Sequence, residues 1–60
     1  MNAKDAAQTA ARITEFADAA KPADDDPYRE KRQLIRYHLL SAARVARDIA
    51  EALAQKEAQG

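Results

Sequence analysis

From Pro27 to about Ala58 the chain contains no residue that breaks a helix. A helix of about 32 residues is a rod of roughly 48 Å. Along it Ile35, Leu39, Ala42, Ala46, Ile49 and Leu53 recur at spacings of 4, 3, 4, 3 and 4, the signature of a heptad seam. The other helical segment, Asn2 to Ala20, reaches only about 28 Å by the same arithmetic. It is too short to cover the seam of the longer one. The uncovered length must pack on something outside the chain, so the sequence predicts an all-α fold: an antiparallel two-helix hairpin that assembles into a homo-oligomeric bundle.

The chain has 60 residues and no cysteine. A domain of this size buries little surface and usually needs a disulfide, a metal or a partner chain. Without cysteines, and with a single histidine, oligomerisation is the remaining route. The large apolar residues are few, and alanine makes up much of the rest. Alanine has the highest helix propensity and lets helix axes approach closely.

The whole of 1–60 reads as one domain, with helix 1 over about 2–20, a loop at 21–26 and helix 2 over about 27–58. Asn2 is a suitable N-cap, and Asp5 lies in the first turn, where its charge suits the helix dipole. Ala3, Ala6, Ala10, Ile13, Ala17 and Ala20 form the apolar seam of helix 1, widened by Phe16. Pro22 disfavours helix at Lys21 and stops the first helix. Asp26-Pro27 restarts it, aspartate as cap and proline at the first helical position. A loop of about six residues makes the helices antiparallel neighbours. A second row on helix 2, Arg36, Leu40, Ala43, Arg47 and Ala50, is part basic and part apolar. It is the candidate second contact surface, unless Leu40 is simply an exposed leucine.

Residues 1–26 carry three basic and six acidic residues, and residues 27–60 carry seven basic and four acidic. This asymmetry points to an anionic partner or to self-complementary assembly. The basic residues Arg29, Arg32, Arg36, Arg44 and Arg47, with Lys31 among them, are interleaved with Tyr28 and Tyr37. Arginine offers a planar fork to phosphate, and tyrosine a face on which a base can stack. The candidate ligand or partner set is therefore Arg29, Arg32, Arg36, Tyr37, Leu40, Arg44 and Arg47. The competing reading is a solvated basic face, or arginines paired with Glu15 and Asp18.

Catalysis has little support. His38 and Ser41 lie one helical turn apart, but no third group orients the histidine and no glycine-rich turn supplies an oxyanion hole. His38 reads as a residue at the edge of the packed face. Asp24, Asp25 and Asp26 lack the alternating ligand spacing of a calcium loop, and capping accounts for them. The expectation is a protein that is not an enzyme and has no cofactor or metal. No apolar run approaches a membrane span, and Met-Asn-Ala-Lys-Asp lacks the apolar stretch of a signal peptide. A cytoplasmic location is expected.

Asp26-Pro27-Tyr28-Arg29, Leu39-Leu40-Ser41-Ala42-Ala43 and Asp48-Ile49-Ala50-Glu51-Ala52-Leu53 together resemble the second helix of small phage-encoded helical-hairpin proteins. One such group is the cyclic-oligonucleotide sponges that blunt anti-phage defence. Another is the anti-quorum-sensing hairpins that bind host proteins, to which Ile13-Thr14-Glu15-Phe16 is also similar. Where the sponges tend to carry aromatic and methionine positions, this chain has Arg44 and Val45. The resemblance implies non-enzymatic sequestration in the host cytoplasm, of a cyclic nucleotide by arginines and a tyrosine, or of a host protein by the Leu40 row. The architecture is also similar to plasmid RNA-binding hairpins that dimerise into four-helix bundles. The alternative is accordingly an RNA-binding or DNA-associated accessory bundle.

Overall fold

The computed structural model describes residues 1–60 and contains two α-helices, α1 (Ala3–Ala19) and α2 (Arg29–Gln59). They pack side by side into a rod of 52 × 14 × 13 Å. No helix is long and apolar enough to cross a membrane.

The helix ends follow from local chemistry. Asn2 caps α1: its side-chain oxygen accepts the Asp5 N–H at 2.8 Å. This satisfies one of the four orphan amides of a helix start. At the other end, the N–H of Ala20 turns back to the Phe16 carbonyl at 3.0 Å, one residue before the proline-restricted Lys21. A turn follows, closed by Asp26 N–H to the Ala23 carbonyl at 3.2 Å.

The regular helix α2 begins at Arg29, two residues later than the sequence predicts. Tyr28 holds the N-cap position without a side-chain cap, and the turn before it is closed by Asp26. Its Oδ1 accepts the Tyr28 N–H at 2.8 Å, and its carbonyl accepts the Arg29 N–H at 3.2 Å. Pro27 and Tyr28 thus form one tight i→i+3 turn before the i→i+4 ladder starts with Arg32 N–H to the Tyr28 carbonyl.

The register is antiparallel. The Ala3 N–H donates to Glu57 Oε1 at 3.1 Å, tying the start of α1 to the end of α2. Counting inward from that bond by heptads puts Ala10 level with Ala50 and Ala17 level with Ala43. All four are buried, as is Ala6, and these five alanines are the only buried residues. Thr14, half-buried at this contact, satisfies its hydroxyl on the Ala10 carbonyl at 2.9 Å.

This corrects the expected division of the α2 faces. The row containing Ala43 and Ala50, expected to be a second contact surface, is the one that receives α1. The heptad seam lies to one side of that contact. Leu39, Ala46 and Leu53 are half-buried, whereas Ile35 and Ile49 remain 52% and 44% exposed and Ala42 is exposed. The reason is steric. Only methyl-sized side chains fit between closely approaching axes, so the bulky residues are displaced to the flanks.

Ala17→Leu is expected to lower stability by about 1–3 kcal/mol, because no room exists for three more carbons between the helices. Ala11→Leu, at an exposed position of α1, should stay within about 0.5 kcal/mol of the parent. Urea denaturation followed by helical circular dichroism checks both.

Candidate ligand-binding surface

Helical spacing places Arg29, Gln33, Tyr37, Leu40, Arg44 and Arg47 along one flank of α2, at intervals of 4, 4, 3, 4 and 3. The eighteen residue steps from Arg29 to Arg47 cover about 27 Å of the rod. Arg29, Tyr37, Arg44 and Arg47 are exposed, with Tyr37 at 66%. None of these three arginines is in an ion pair, since the chain's one salt bridge joins Arg32 to Asp26.

At the loop end of this flank Arg29, Glu30, Gln33, Leu34 and Tyr37 line an open hollow of about 610 Å³. The Tyr37 ring meets His38 edge-on, with centroids 5.7 Å apart and planes at 73°. Nearer the open end of the hairpin, Arg47 and Glu51 face Lys4, Ala7 and Ala11 across a shallow groove of about 530 Å³. That groove fixes which sides of the two helices adjoin. Glu15 and Asp18 of α1 share this side by helical spacing, yet they form no salt bridge with Arg44 or Arg47. The pairing considered from the sequence is not made.

The other candidates have different duties. Arg32 Nε bonds Asp26 Oδ2 at 2.6 Å, and the aspartate side chain is only 15% exposed. One carboxylate therefore closes the turn before α2 with one oxygen and holds the arginine a turn and a half later with the other. Arg36 is half-buried in the α1-facing row, and its Nε is shut off from solvent with no hydrogen-bond partner. Leu40, 39% exposed, sits on the rim between the α1 contact and the basic flank. A host protein cannot dock on the Leu40 row as a whole while α1 occupies Ala43 and Ala50. Gln33 and Leu34 belong to the hollow and were not singled out from the sequence. The i, i+4, i+8 spacing of Arg29, Gln33 and Tyr37 was the available signal. His38 and Ser41 are both exposed, and no hydrogen bond joins them.

Comparison with protein-family models, with curated proteins and with solved structures gives no match.

Two substitutions separate the structural arginines from the exposed ones. Asp26→Ala should cost about 1 kcal/mol through loss of the bond from the Tyr28 N–H, and should unfasten Arg32. Arg36→Met should raise the melting temperature, because an unsatisfied buried donor carries a penalty of about 1–3 kcal/mol that an apolar side chain of similar length avoids. Differential scanning fluorimetry of the two variants reads both effects.

Proposed function

We propose that this protein is a non-enzymatic binding protein that acts by sequestration, as a homo-oligomer, taking a cyclic nucleotide on the Arg29–Tyr37 end of the basic flank. The observation that carries this reading is the exposed, unpaired guanidinium of Arg29 beside a hollow that ends in an exposed tyrosine ring. A nucleotide has the matching parts: phosphates for the planar fork and a base for the ring face. Gln33 adds an amide that can both donate and accept at a base edge. The resemblance of α2 to phage-encoded sponges supports the same reading and gives it a setting in the host cytoplasm.

A second reading is favoured by one observation. The basic flank continues past the hollow to Arg44 and Arg47, for about 27 Å, a length that suits a strand of RNA better than a small molecule.

Calorimetric titration with a cyclic dinucleotide tests the first reading. Arg29→Ala should weaken binding about tenfold, since one charge-assisted contact contributes about 1.5–3 kcal/mol. Affinity should also fall as salt is added. Tyr37→Ala should weaken binding by loss of stacking, and Tyr37→Phe should retain it. A gel shift with short RNA that depends on Arg44 and Arg47, together with no response to cyclic nucleotides, moves the assignment to the second reading. Binding of neither overturns both.

A further inference from the structure

The flank opposite the basic one is apolar. On α2, Ile35, His38, Ala42, Val45, Ile49 and Ala52 follow one another at spacings of 3, 4, 3, 4 and 3, and all six are exposed. Val45 is 59% exposed. The stripe carries no formally charged side chain between Lys31 and Lys56, which end it on the same helical line. Beside it, α1 contributes half-buried Ile13 and Phe16, the latter 66% exposed. The stripe and the seam residues next to it form an apolar face, flanked on α1 by Asp5, Thr9 and Arg12, which share the Phe16 side by helical spacing. In isolation this face is the wrong chemistry for water.

The area is large enough to matter. The hairpin exposes 4902 Å². A compact folded chain of 6.6 kDa exposes about 3,900 Å². The excess, about 1,000 Å² over the whole surface, leaves room for the roughly 800 Å² that each partner gives up in a stable protein–protein interface. Its radius of gyration, 14.6 Å, likewise exceeds the roughly 10 Å of a compact chain of this length.

We propose that a second copy of this chain covers this face, with its α2 running antiparallel to the first about a two-fold axis perpendicular to the rod near residues 43 and 44. This rests on the oligomer named in the proposed function and gives it a surface and a symmetry. The direction follows from side-chain size. The stripe is centred on the middle of α2, so an antiparallel copy overlaps it fully. In that register Ile35 lies level with the partner subunit's Ala52, and Val45 with the partner subunit's Ala42. Ile49 lies level with the partner subunit's His38. Large side chains thus meet small or flat ones, the condition for interdigitated packing. In a parallel pair each residue meets its own copy, so layers of isoleucine alternate with layers of Ala42 and Ala52 that leave gaps. The antiparallel pair also sets the two helix dipoles against each other favourably. Both basic flanks stay outside, one toward each end, so each copy keeps a complete ligand site.

Two measurements test this, and neither involves the ligand. Sedimentation equilibrium at micromolar concentration should give twice 6.6 kDa. A monomer, meaning that the face is kept for a different protein, overturns the proposal, as does any larger assembly. A spin label at Lys56→Cys, an exposed position in a chain with no other cysteine, then reports direction. The two labels should lie roughly 40 Å apart in the antiparallel pair, and a separation below about 20 Å, as in a parallel pair, overturns it. Val45→Asp should abolish the dimer. If that variant unfolds, the mass and spin-label results on otherwise native chains still decide the matter. Loss of nucleotide binding with these results intact would fault the assignment of the ligand and leave the dimer standing.

Discussion

Everything in this molecule depends on how closely α1 and α2 approach. Ala10 lies level with Ala50 and Ala17 with Ala43, all four buried, and the chain contains no large side chain that is fully buried. A contact made of methyl groups sets a short interaxial distance and gains helix propensity on both sides. It also has a cost in burial. A methyl group removed from water contributes only about 0.8 kcal/mol, so five alanines make a thin interior. The bulky residues cannot enter. They line the two outer flanks, and the sequence sorts them: arginine and Tyr37 to one side, isoleucine, valine and Phe16 to the other.

The helices and their caps were legible in the sequence because they depend on neighbours within one turn. Asn2 capping the Asp5 N–H and Asp26 closing the turn into α2, two residues before the N-cap Tyr28, are of this kind. The choice of face was not legible in the same way. Ile35, Ile49 and Leu53 made the heptad seam the most hydrophobic line on α2, and hydrophobic weight pointed to it as the principal interface. The partner within the chain, however, is an alanine helix. What it needs is proximity, and it selects the row with Ala43 and Ala50 at heptad spacing. Matching alanine periods on both helices was the clue. Among the candidate ligand residues, Arg29, Tyr37, Arg44 and Arg47 are exposed as their positions suggested. Arg32 and Arg36 are not free in the same sense. One is held by Asp26 and the other has its Nε buried. The Arg32 pair depends on the path of the loop past the first turns of α2, which residue spacing within a helix does not encode.

The electrostatic pattern follows from the same arrangement. The first 26 residues are acidic and the rest basic, yet a single ion pair joins the two parts. An antiparallel hairpin with alanine at its contact places acids and bases on separate ridges. Exposed pairs across such ridges would contribute little in any case. The charges of Arg29, Arg44 and Arg47 are therefore not consumed in holding the fold together. Removing them should be mild for the scaffold.

The hydrogen bond from Ala3 to Glu57 brings residues 3 and 57 together at one tip of a 52 Å rod, while the acidic turn forms the other. Anything attached before Met1 or after Gly60 leaves from the same tip. A fluorophore and its quencher placed at the two chain ends would sit side by side in the folded hairpin and separate on opening. The turn at the far tip, unencumbered by either end, is where an inserted peptide would be displayed with least disturbance to the rod.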